Sequence, residues 1–120
     1  MKGIVDDFGR AIIEVILRAS PTAEPKLLQT WIDTGMTGEL VIPENQILDL
    51  NLARTGTAVA HLADGSEVLL NTYSCSLNWN GRERQVEVIA NTGQFPLLGV
   101  GLLCDHRLSI DYPARQVEIV

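Results

Sequence analysis

Apolar and other side chains alternate along several stretches of this chain, which is the period of strands rather than helices. The first such stretch reads as a hairpin: Lys2 to Asp6, a turn through Asp7-Phe8-Gly9, then an Ile- and Val-rich arm from Arg10 to Ala19. On that arm Ala11, Ile13, Val15 and Leu17 fall on one side, and Ile12, Glu14, Ile16 and Arg18 on the other. That pattern predicts a strand with one face in the core and the other partly covered, at an edge or an interface.

A Pro-containing connector, Ser20 to Lys26, leads to two further predicted strands, Leu27 to Asp33 and Glu39 to Ile42, joined by Thr34-Gly35-Met36-Thr37-Gly38. Pro43 to Leu50 reads as a short helix, because Pro is tolerated at the first helical position and Ile47 and Leu50 share a face. The stretches Thr55 to Leu62 and Glu67 to Leu77 flank Ala63-Asp64-Gly65-Ser66, whose Asp-Gly pair signals a hairpin turn. Asn80-Gly81 supplies a second such turn, between Leu77-Asn78-Trp79 and Arg84 to Ala90. Leu108 to Tyr112 and Gln116 to Val120 close the chain as a hairpin about Pro113-Ala114. Strands dominate, turn signals recur and no internal repeat is evident, so the fold class is all-β with one or two short helices.

The length of 120 residues fits a single domain spanning 1–120, large enough for one core without metal or disulfide staples. A net charge of -6 argues against nucleic-acid partners, which draw Lys and Arg to one face. Cys75 and Cys104 form no C-x-x-C pair and have only His61 and His106 for company, so no metal site is expected and the cysteines read as buried, reduced thiols. His61 and His106 read as surface or hydrogen-bonded structural residues, and Trp31 and Trp79 as packing residues. The apolar stretch Ala11 to Leu17 is interrupted by Glu14 and flanked by Arg10 and Arg18, unlike a signal peptide, and no apolar run is long enough to cross a bilayer. A cytoplasmic protein without membrane contact or cofactor is the expectation.

The candidate chemistry lies in Asp33-Thr34-Gly35, a carboxylate at a strand end followed by a hydroxyl and by a glycine that admits close backbone approach. By itself an aspartate there is an ordinary turn former. Towards the other end lies Pro96-Leu97-Leu98-Gly99-Val100-Gly101-Leu102-Leu103, and between the two the Asp64-Gly65 hairpin.

The order Asp-Thr-Gly, hairpin, hydrophobic-hydrophobic-Gly, short helix and final strand resembles the retropepsin-like, single-domain aspartic peptidases of retroviruses and their bacterial relatives. The resemblance implies a closed barrel subunit that works as a homodimer. It implies that Asp33 supplies one of two carboxylates and the second copy the other, with Thr34 tying the two loops together and Gly35 permitting their approach. Ala63, Asp64, Gly65 and Ser66 match the flap tip that closes over a peptide or protein substrate, and Leu98 and Gly99 match the support behind the Asp33 loop. Met36 departs from the family pattern, which places Ala or Ser there. It opens an alternative in which the same dimer is catalytically weak and serves as a peptide-binding module. A third reading is a small β-barrel with an unrelated ligand.

Overall fold

The computed structural model describes residues 1–120 and consists of ten strands and two short helices. Strands β1 (Lys2–Val5) and β2 (Ala11–Arg18) form the first hairpin, and β3 (Lys26–Ile32) returns beside β2. Strand β4 (Leu40–Pro43) runs directly into helix α1 (Glu44–Leu50). The helix starts after Pro43, buries Ile47 and Leu50, and stops at Asn51, whose left-handed backbone (φ 55°) donates its N–H to the Ile47 carbonyl. Asn tolerates that conformation better than most residues and so serves as a helix stop.

Strands β5 (Ala53–His61) and β6 (Glu67–Trp79) make the long hairpin, and β7 (Arg82–Asn91) follows across Asn80-Gly81. Both turn residues have positive φ, 53° and 83°, the geometry whose twist matches the flanking strands and which Asn-Gly adopts most readily. The chain ends through β8 (Leu97–Leu98), α2 (Val100–Leu103), β9 (Leu108–Asp111) and β10 (Gln116–Ile119). No helix is long and apolar enough to cross a membrane.

The strands form one sheet in the order β5-β6-β7-β4-β8-β3-β2-β1-β10-β9. A further pairing, Ile16 to Asn78 through Arg18 to Ser76, joins β2 to the far end of β6 and links six of the strands into a ring. The expected closed barrel is not what forms: β5, β1, β10 and β9 lie outside the ring, and β5 and β9 end the sheet. The reason lies in the 13 residues of β6. Its first half pairs with β5 and its last residues with β2 along the same edge, so β5 projects past the ring. Strand β2 is likewise not an edge strand, because it pairs with β1, β3 and β6.

One cluster of 22 buried apolar residues fills the interior, drawn from both ends of the chain and including Ile13, Val15, Leu17, Leu40, Ile42, Leu77, Val88, Leu98, Val117 and Ile119. Fully burying each Val, Leu or Ile side chain contributes about 1.5–3 kcal/mol. The alternation predicted on β2 sets Ile13, Val15 and Leu17 into this core, while Glu14 and Ile16 stay exposed. Thr30, fully buried on β3, satisfies its hydroxyl by donating to the Ile13 carbonyl at 2.8 Å, which costs the core nothing in unpaired polarity.

Candidate active site

Asp33 directly follows β3, and its backbone is fixed from the far end of the sequence. Strand β8 pairs in parallel with β3, Trp31 opposite Leu97 and Ile32 opposite Leu98, and the Asp33 N–H donates to the Leu98 carbonyl at 2.9 Å. The other edge of β8 pairs with β4, Leu40 opposite Leu98. The two residues of β8 thus wedge between the strand that enters the Asp33 loop and the strand that leaves it.

The loop itself, Thr34 to Gly38, is sewn to the start of α2 by backbone hydrogen bonds: Gly99 N–H to the Glu39 carbonyl (2.9 Å), Val100 N–H to Met36 (2.8 Å) and Gly101 N–H to Gly38 (3.0 Å). Side chains would block this seam. A Cβ on Gly99 would run into the Gly38 carbonyl oxygen and the Met36 methyl, with the Met36 carbonyl at 2.8 Å, and one on Gly101 would lie 2.9 Å from Glu39 Cγ. Leu98 is fully buried beneath the loop.

Within the loop, Asp33 is half-buried while Thr34 and Gly35 are exposed. The Gly35 N–H donates to Asp33 Oδ1 at 2.9 Å, which orients the carboxylate and leaves Oδ2 without a partner in the chain. Trp31, Ile32, Asp33, Thr34 and Leu97 line a shallow pocket of about 360 Å³. A half-exposed carboxylate with one free oxygen beside apolar walls can accept a proton from water or give one to a bound carbonyl. Met36 does not line that pocket: its methyl end occupies the space left by the missing side chain of Gly99, so it packs under the loop.

Ala63 to Ser66 are exposed at the tip of the β5–β6 hairpin, and their hydrogen bonds stay within it. Leu62 N–H donates to the Ser66 carbonyl at 2.8 Å, and Ser66 donates both its N–H (2.9 Å) and its hydroxyl (2.6 Å) to Asp64 Oδ1. Those bonds, the hydroxyl's first, hold the Asp64 carboxyl below its ordinary pKa. The fold therefore brings Asp33, Thr34 and Gly35 together with Leu98 and Gly99, and keeps the hairpin tip apart from them.

Four residues contribute here beyond those the sequence singled out for the site. Glu39 braces the loop by accepting Arg84 Nη2 (2.8 Å) and the Glu87 N–H (2.9 Å). Gly38 and Gly101 form the close approach between loop and α2. Arg10 reaches the neighbourhood from the first hairpin, its guanidinium carbon 4.4 Å from the centre of the Phe95 ring. The two glycines were the one legible signal, since each lies within a stretch already singled out, Thr34 to Gly38 and Pro96 to Leu103. Both cysteines are free, as expected, but only Cys75 is buried and Cys104 is exposed. Burial, aided by the charge of Glu39, pushes the Cys75 thiol up to about 12. His106 is a structural partner, its Nε2 accepting the Trp79 indole N–H at 3.0 Å. No group of acidic, His and Cys side chains is arranged to hold a metal.

No family model matches the chain, and no curated protein sequence does. Solved structures do. A retropepsin-like aspartic protease from Rickettsia conorii superposes with a TM-score of 0.68 at 16% identity, covering 99% of this chain and 88% of its own. An EIAV protease solved with an inhibitor gives 0.59 at 18% identity over 80% of this chain and 86% of its own. The Simian Foamy Virus (mac) protease gives 0.52 at 20% identity over 78% and 91%. With the wedge of β8 behind the Asp33 loop and this agreement across bacterial and viral structures, the chain has the retropepsin-like aspartic-protease fold.

Proposed function

We propose that the chain is an aspartic endopeptidase whose residues 1–120 act as one domain, and that two copies form the active unit. The observation that carries this reading is the Asp33 carboxylate, held at the end of β3 with one oxygen free beside an apolar pocket. The sequence contains one Asp-Thr-Gly, so the second carboxylate comes from Asp33 of a second copy. Two carboxylates that close cannot both ionise and share one proton; aspartic proteases are the established example. The ionised member deprotonates a water that attacks the scissile carbonyl, and the protonated member donates to the carbonyl oxygen. Proton return to the leaving amine then breaks the C–N bond, with no covalent enzyme intermediate.

In this reading Thr34 links the two loops and Gly35 allows their approach. Ala63, Asp64, Gly65 and Ser66 close over an extended peptide, and Leu98 and Gly99 hold the Asp33 backbone from behind. The seat of Met36 under the loop, outside the pocket, fits an active dyad.

The test is cleavage of a diverse peptide library from acidic to neutral pH, run beside Asp33→Asn and beside a pepstatin-type transition-state inhibitor. Cleavage abolished in both controls is the expected result, with a bell-shaped pH profile from the shared proton. A folded, dimeric wild type that binds peptides but cuts none overturns the peptidase and leaves the binding module.

A further inference from the structure

The turn after α2 sets His106 against the end of the β6–β7 hairpin, where Trp79, Asn80, Arg82, Glu83, Arg84 and His106 line an open pocket of about 590 Å³. Its side-chain chemistry is basic. Opposite residues of an antiparallel pair share a face, so Arg82 and Arg84 lie on the side of their partners Trp79 and Leu77, and Glu83 points to the other. There the Glu83 carboxylate accepts the Ser76 hydroxyl and lies 3.7 Å from Arg18 Nε, away from the two arginines. The side chain of Arg82 is exposed and has no hydrogen bond or ion pair within the chain. Arg84 commits only Nη2, to Glu39 Oε2 at 2.8 Å, and its other nitrogens keep their donors free. His106 Nε2 accepts the Trp79 indole N–H at 3.0 Å, so the neutral ring carries its proton on Nδ1, a third donor without a partner.

We infer that Arg82, Arg84 and His106 form a binding site for a phosphate group, and that its occupancy is felt at the Asp33 loop through Arg84. The site stands whether or not Asp33 cleaves peptides. A planar carboxylate has two oxygens, which one guanidinium fork satisfies; donors from three separate side chains suit an ion with oxygens in several directions and more than one charge. The volume falls in the range of small-molecule sites, about 300–1,000 Å³, which leaves room for the organic part of a phosphate ester. The net charge of -6 opposes any anion at long range, but salt at physiological strength screens charges beyond about 8 Å, and within that distance the arginines decide. The link to the loop runs through Glu39. Its carboxylate holds Arg84 Nη2 and the Glu87 N–H, and its carbonyl accepts the Gly99 N–H at 2.9 Å. A phosphate that draws on Arg84 therefore pulls against the residue that braces the Asp33 loop.

The experiment follows the backbone amide and indole N–H resonances of the full chain during titration with inorganic phosphate, phenyl phosphate, succinate and chloride at matched ionic strength. Trp31→Phe assigns the Trp79 indole, which reports on the far side of the His106 ring. Phosphate is expected to shift that indole and the Arg82 amide saturably, with a midpoint of about 1 mM at low salt, the scale of a small ion on a few exposed charge pairs. Arg82→Gln, at an exposed position where folding is not at stake, should weaken the midpoint about fivefold, and Arg82→Lys should restore part of it. Inorganic phosphate as tight as the ester assigns the site to free phosphate, and a tighter ester assigns it to a phosphorylated small molecule. Shifts that do not saturate, or that chloride reproduces, overturn the site. So does a midpoint unchanged in Arg82→Gln, and succinate binding as tightly as phosphate overturns the choice of ligand. The Gly99 amide should shift with the same midpoint; a saturable response confined to the pocket overturns the link to the loop.

Discussion

Gly99 is where a single atom decides the architecture of the site. Its missing Cβ is the space in which the Gly38 carbonyl and the Met36 methyl sit, and its N–H holds the Glu39 carbonyl. Gly99→Ala must push backbone rather than a flexible side-chain end, so a loss of about 3 kcal/mol is expected, read as a shift in the urea unfolding midpoint. Met36→Ala removes only a half-buried, adaptable side chain, and about 1 kcal/mol is expected from the same measurement. Equal losses for the two would mean that the close backbone approach is not what Gly99 provides. The cysteines separate just as sharply. A thiol raised to about 12 supplies almost no thiolate at neutral pH, whereas Cys104 is exposed. Ellman titration of the folded protein should label one thiol, in Cys104, and of the unfolded protein two.

Among the elements, the outer part of the β5–β6 hairpin, which supplies no residue to the buried cluster, owes least to the core. Val59, Leu62 and Leu69 are exposed near its end, and the tip is held by hydrogen bonds among Leu62, Asp64, Gly65 and Ser66. Because the folded tip lowers the Asp64 pKa, its ionised form stabilises the turn above the unfolded value, and that support is lost as pH falls through the folded one. Amide exchange in residues 62–66 should therefore speed up, relative to β2, when the pH drops below the ordinary Asp range, and Asp64→Ala should exchange fast at every pH. This hairpin, like the Asn80-Gly81 turn, was legible in the sequence because its signal is local: a turn dipeptide between alternating strands. The Asp33 loop and its Leu98-Gly99 support were legible for a different reason, their order along the chain. What was not legible is long-range. Nothing near Leu97 and Leu98 announces a two-residue strand wedged between β3 and β4, and nothing in β6 announces that one edge serves both β5 and β2. That division is why the expected barrel gave way to a sheet with free ends. Glu39 and Arg10 were missed on the same ground, since their partners lie 45 or more residues away or on another hairpin.

At the scale of the whole molecule, the proposed chemistry needs more than one chain. Each copy carries a single Asp-Thr-Gly, so peptidase activity should depend on assembly. Subunit mixing tests this directly. If wild-type and Asp33→Asn chains exchange freely and pair at random, the fraction of wild-type chains facing another wild-type chain falls as mutant is added. At fixed wild-type concentration and saturating substrate, an equal amount of mutant should leave about half the activity and a threefold excess about a quarter, provided mixed pairs are inactive. A chain that worked alone would show no inhibition at any ratio. A mixed pair that retained activity would hold only one ionisable Asp33 and would refute the shared-proton dyad, even if sedimentation showed every chain dimeric. Activity per chain should also rise with protein concentration up to the dimerisation constant and then level off. The two curves have to agree, because the concentration at which activity levels off is also the concentration above which mixing inhibits.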